Sequence, residues 1–221
     1  MSEDSALSPA VLESLRRIRG SRPPMVERCE FCGSDLPEAH GHLVNVTARA
    51  LLCVCRPCYL LFTHDGAGGQ RFRAVPDRYR GCELDPAVCR ALGMPVGFAF
   101  LFINSTLNRI VMQYPGPAGA TEAEVPEEAL REVLASAPVL ASLTPDVEAL
   151  LIRRHDSGAV DAFVVPIDAC YELSGRLRRS WRGFRGGEEA WREVDQFFAR
   201  VSARARESVG ACAERPAGVE G

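Results

Sequence analysis

The chain has 221 residues, is 47% apolar and carries a formal net charge of −3 with a pI near 5.9. That length supports one large domain or two small ones, and the acidic balance excludes a general attraction to nucleic acid or to an anionic membrane. No apolar run approaches the roughly 20 residues that span a bilayer, and the opening Ser2-Glu3-Asp4 lacks the basic start and apolar core of an export signal, so the expectation is a cytoplasmic protein.

Residues 1–24 predict an N-terminal helical arm. Ser8 suits a cap and Pro9 the first turn, while Val11, Leu12, Leu15 and Ile18 share one face. Gly20 and Pro23-Pro24 end it. Such a face serves equally to dock on its own protein or to bind a partner.

Residues 25–80 read as a four-cysteine metal-binding module. Cys29-Glu30-Phe31-Cys32-Gly33 and Cys55-Arg56-Pro57-Cys58 are two C-x-x-C pairs with 22 residues between them. Each pair is expected on a tight turn whose amides point at the sulfurs, with Gly33 free to take the positive φ such a turn needs. Four soft thiolates with no open position specify tetrahedral zinc first and iron second. Leu43–Val46 and Ala50–Leu52 predict a hairpin between the pairs, and Arg71–Val75 alternates like a further strand beyond the glycine-rich loop 66–69. Tyr59–Phe62 continues as a strand or a first helical turn. So small a unit has little apolar core, and bound metal would supply much of its stability.

Three residues compete with this ligand set. Cys53 lies two positions before Cys55 and shares its side of a strand, yet a C-x-x-C knuckle leaves it outside as a packed thiol or a group behind the ligands. His40 and His42 lie between the pairs, and either could replace one thiolate in a site of three cysteines and one histidine. Four cysteines already satisfy the metal, so the predicted ligands are Cys29, Cys32, Cys55 and Cys58.

A linker helix is expected over 81–94, capped by Asp85 with Pro86 in its first turn and ended by Gly93. Residues 95–207 predict an α+β domain. Val96–Ile103 and Arg109–Tyr114 read as strands, and Pro115–Gly119 as a loop leading to a helix near 126–137. Val147–Arg153 and Val160–Val165 form a second hairpin across Asp156-Ser157-Gly158. Helices follow over 168–180, with Asp168 as cap, and over 187–207, where Trp191, Val194, Phe198, Val201 and Ala205 mark a core-facing stripe. This order implies an antiparallel sheet with helices mainly on one face. Residues 208–221 read as a disordered tail.

Other candidates carry less chemistry. His64 and His155 follow strands without a catalytic partner set. Cys82, Cys89 and Cys170 are explained by burial as small apolar groups, and Cys212 falls in the tail. Arg176, Arg178, Arg179, Arg182 and Arg185, interleaved with Trp181 and Phe184, could grip an anionic strand, but cations at a helix C-terminus are favoured in any case. No phosphate-binding glycine loop, nucleophile elbow or paired acid/base carboxylates occur.

Several stretches together resemble a known family: Cys29–Gly33, Leu51–Cys58, Tyr114–Glu122, Pro145–Leu151 and Val165–Tyr171. They are similar to an uncharacterised bacterial family of zinc-ribbon-containing proteins encoded beside [NiFe]-hydrogenase genes in high-GC soil bacteria. The resemblance spans about 26 to 200. It implies an accessory role near hydrogenase assembly or activity, with hydrogenase subunits or maturation factors as partners, and it carries over no catalytic residue. The first pair, Cys29–Gly33, also resembles a rubredoxin knuckle; the second departs from it, because Tyr59 stands where such knuckles place glycine. That departure favours zinc over iron.

The leading reading is therefore a non-enzymatic accessory protein that presents a surface to a protein partner. Its alternative is a rubredoxin-like electron carrier with one iron on the same thiolates. A regulator binding nucleic acid through the ribbon and the 176–185 arginines is opposed by the acidic balance.

Overall fold

The computed structural model describes residues 27–213, apart from 65, 95, 96, 117, 118, 124, 126, 184 and 185. The arm expected at 1–24, with Leu12, Leu15 and Ile18, lies outside the described residues.

The ribbon is built on a hairpin of β1 (Gly41–Asn45) and β2 (Ala50–Val54), paired antiparallel with Leu43 opposite Leu52. A third strand, β3 (Phe72–Ala74), pairs with the other edge of β1, giving the order β2-β1-β3. The period of two gives β1 two apolar faces. Leu43 is buried with Cys29, Leu36, Val54 and Cys58 in a small ribbon core. Its neighbour Val44 turns the other way, into the main core with Val75, Tyr79 and Phe100. The glycine-rich stretch expected as a plain loop makes a short 3-10 helix over Ala67–Gln70.

The second sheet has six antiparallel strands. They are β4 (Arg80–Gly81), β5 (Phe98–Asn104), β6 (Arg109–Gly116), β7 (Gly119–Ala123), β8 (Glu148–Arg154) and β9 (Val160–Pro166), in the order β4-β9-β8-β5-β6-β7. β5 is apolar on both faces, as a central strand must be. Phe98, Phe100 and Phe102 point into one core, and Ala99 and Leu101 into another. Two strands differ from expectation. β4 falls at the expected boundary between the metal-binding module and the linker helix, its two residues pairing with Val164 and Phe163 of β9. The expected Pro115–Gly119 loop is instead the closing end of a hairpin, with Tyr114 opposite Thr121 and Gly116 opposite Gly119. Gly119-Ala120-Thr121-Glu122 has no large apolar residue to show the period, so pairing with β6 is what makes it a strand.

The two long helices, α4 (Ile167–Ser180) and α5 (Gly187–Ala213), cover the phenylalanine face of the sheet. The expected stripe on α5 is buried there, with Val194, Phe198, Val201 and Ala205 all in the main core and the Trp191 ring edge-on to Phe98. Shorter elements cover the opposite face: α2 (Pro86–Ala91), α3 (Glu127–Ser136) and a 3-10 turn at Pro138–Ser142. Asp85 caps α2 as expected, its carboxylate accepting from the Ala87 amide. The last helix runs to Ala213, past the expected end at 207. Residues 203–207 are Ala-Arg-Ala-Arg-Glu, strong helix formers, and no proline interrupts before Pro216.

Polar clamps hold the ribbon against the larger sheet. Arg73 of β3 reaches the Asp146 carboxylate at 3.1 Å and donates to the Pro145 carbonyl. Arg204 of α5 donates to the Tyr79 hydroxyl at 2.8 Å and pairs with Asp77, lying over the Tyr79 ring.

Candidate metal centre

The first knuckle is a tight reversal closed by a bridge between Arg28 and Asp35. The Cys29 amide donates to the Ser34 carbonyl and the Gly33 amide to the Cys29 carbonyl, each at 2.8 Å. Gly33 sits at φ 74, the left-handed conformation the turn requires. Glu30 then ties the knuckle to β2 twice: its amide donates to the Cys53 carbonyl, and its carboxylate accepts from the Cys53 amide.

The second knuckle takes a different form from the first. Cys55 is the N-cap residue of a short helix, α1 (Arg56–Leu60), with Pro57 in its first turn. Tyr59 closes that turn by donating its amide to the Cys55 carbonyl. The segment beginning at Tyr59 is thus helical, the second of the two expected possibilities.

These two loops bring Cys29, Cys32, Cys55 and Cys58 together, with all four sulfurs within 4.8 Å of one another. Four sulfurs on a tetrahedral zinc at about 2.3 Å lie about 3.8 Å apart. The Cys32 and Cys55 sulfurs are 3.5 Å apart, so the constellation fits such an ion with little movement. Donors are distributed unevenly. Burial acts to raise the Cys29 thiol but is outweighed by the amides of Cys55, Cys32 and Phe31, which bring it down to about 6. The hydroxyl and amide of Ser34 lower the Cys32 thiol. Burial and the neighbouring thiols push Cys58 up to about 12. A cation at the centre would reverse that last effect, because a metal-bound thiol is deprotonated outright.

A family model described as a family of unknown function, DUF5947, matches residues 28–205. The chain belongs to this family. No curated protein and no solved structure matches the chain. The region matched in DUF5947 contains all four cysteines and both sheets.

The other expected site residues lie elsewhere. His40 and His42, weighed as replacements for one thiolate, form a separate group with Cys53, their ligand atoms again within 4.8 Å of one another. Cys53 is half-buried against the ribbon core, and burial, then Glu27 and Glu30, raises its thiol. Asp168 is less a helix cap than a partner for His42, whose Nδ1 lies 2.8 Å from its carboxylate. His155 pairs with Asp161 at 2.7 Å. Burial raises the thiols of Cys82, Cys89 and Cys170. The arginine cluster is partly spent inside the fold: Arg176 pairs with Glu172 and Glu193, and Arg182 donates to the Arg179 and Trp181 carbonyls. Among the described residues no helix is long and apolar enough to cross a membrane.

Sequence reasoning missed the role of Tyr59. Its hydroxyl donates to the Val75 carbonyl at 2.8 Å, and its ring packs so closely on Gly41 that a Cβ there would lie 2.8 Å from Cδ2. The residue that departs from a rubredoxin knuckle therefore braces the His40-Gly41-His42 segment. The glycine between two histidines was the available signal.

Proposed function

We propose that the four-thiolate group holds a structural zinc ion and that the protein is a non-enzymatic accessory factor acting through protein contacts, in assembly or maturation of a [NiFe]-hydrogenase. The observation that carries the zinc assignment is the form of the second knuckle, where Cys55 caps a short helix and Tyr59 stands in the place that a rubredoxin knuckle gives to glycine. A redox iron centre is tuned by hydrogen bonds to its sulfurs. A closed zinc site needs only the four ligands and contributes folding free energy directly.

The accessory role rests on the resemblance carried by Cys29–Gly33, Leu51–Cys58 and Tyr114–Glu122. A closed thiolate site leaves its metal no position for a substrate. The contact surfaces this reading favours are the arm around Leu15 and the β6–β7 hairpin, whose outer strand β7 is an edge of the sheet. Two measurements test it. Protein from a host supplied with both metals should be colourless and contain zinc; a red preparation bleached by dithionite would put the iron carrier in its place. Deleting the gene should lower hydrogen uptake, and unchanged hydrogenase activity and subunit assembly in the deletion strain would refute the accessory role.

A further inference from the structure

The cluster of His40, His42 and Cys53 is a site in its own right. His40 and His42 flank Gly41 and so project to the same side of the strand start, and Cys53 is the direct cross-strand neighbour of His42 in the hairpin. The two imidazole rings are 4.8 Å apart, centre to centre.

Each ring is already oriented through Nδ1. His40 Nδ1 lies 2.9 Å from the Pro37 carbonyl, which can only accept, so Nδ1 carries the proton. His42 Nδ1 faces the Asp168 carboxylate at 2.8 Å, with the same consequence. With the proton on Nδ1, Nε2 is the nitrogen of each ring left to offer a metal its lone pair. Metal-binding histidines show this arrangement, with the second nitrogen donating to a carbonyl or carboxylate that fixes tautomer and direction.

One of those nitrogens is unpartnered. The His40 side chain is only 7% exposed, and its Nε2 is buried without a hydrogen-bond partner among the described residues. The Glu27 carboxylate lies 3.8 Å away, too long for a hydrogen bond but well placed to favour a cation. Buried polar atoms are nearly always satisfied, and an orphan of this kind marks a missing partner.

The site opens on a cavity of about 900 Å³ between the ribbon and helices α4 and α5. Five carboxylates line it against two guanidiniums, Arg56 and Arg204, so its field attracts cations.

We propose that His40, His42 and Cys53 form a second metal centre for a borderline divalent ion such as zinc, with the fourth coordination position facing this cavity. Two imidazoles and one thiolate suit zinc and its late first-row neighbours over magnesium or calcium. Three protein ligands with one open position is the pattern of a centre that takes up water or an exogenous ligand, unlike the closed four-thiolate site. This proposal does not rest on the accessory role or on the identity of the ribbon metal.

The test uses the full-length, tag-free chain. After saturation with zinc and gel filtration, elemental analysis should find two ions per chain, falling to one in the His40→Ala/His42→Ala double variant. Cadmium-113 NMR of the wild type reads the same question without a substitution, since sulfur donors deshield the nucleus. It should give two resonances, one from four thiolates and a more shielded one from mixed nitrogen and sulfur donors. The double variant should lose the shielded line alone. A single ion and a single resonance in the wild type would overturn the proposal. So would two ions retained by the double variant, which would place the second ion elsewhere.

Discussion

Replacing Arg78 by alanine probes the most deeply buried charge in the sheet. Glu148 begins β8 with its side chain wholly excluded from solvent. One carboxylate oxygen accepts from Arg78 Nε at 2.8 Å and the other from the Thr144 amide at 2.8 Å. Burial would raise this carboxyl, but the Arg78 guanidinium and the Thr144 groups outweigh it and hold it below its usual value. Removing one partner of a buried pair costs roughly 3–5 kcal/mol. Arg78 is itself 53% exposed, so water can partly replace it and the low end applies, about 3 kcal/mol at neutral pH. For a chain of this size that is a fall in Tm of roughly 6–12 °C.

The sign with pH follows from the same carboxylate. In the wild type the folded-state pKa is depressed, so its stabilisation is full above the unfolded pKa and is lost as pH falls through the folded one. In Arg78→Ala burial acts with less opposition and raises the folded-state pKa, so the variant regains stability relative to wild type on acidification. Urea unfolding of both proteins between pH 7 and pH 4 should show the difference shrinking; metal release common to both cancels from it. Arg78→Ala/Glu148→Gln should recover much of the loss at pH 7, because a neutral amide can still accept from Thr144. A difference that is absent at pH 7, or constant down to pH 4, would refute the reasoning.

Cys55→Ser should release the ribbon metal and unfold the hairpin β1–β2, since binding at such sites contributes on the order of 10 kcal/mol to folding; elemental analysis and amide exchange of the ribbon check it. Gly41→Ala should cost about 1–3 kcal/mol, because the new Cβ meets the Tyr59 ring at 2.8 Å. Its four-thiolate metal content should stay unchanged, which thermal unfolding combined with metal analysis would show.

Local spacing and periodicity were enough to determine the four converging cysteines, the β1–β2 hairpin, the Asp85 cap and the buried stripe of α5. Each is encoded within a few residues: a knuckle by C-x-x-C and a following turn, a helix face by steps of three and four. Features that depend on distant partners left no such trace. β4 is a strand because β9, far along the chain, offers it an unpaired edge. The partner that keeps Glu148 charged in its apolar strand, Arg78, stands 70 residues earlier. Asp168 resembles a helix cap until His42, 126 residues away, turns its ring toward it. Cys53, His40 and His42 looked like competitors for one metal because their separation in sequence is small. Hairpin register and the packing of Tyr59 on Gly41 gather them instead around a second point, and only the folded chain brings α4 close enough for Asp168 to orient His42 there.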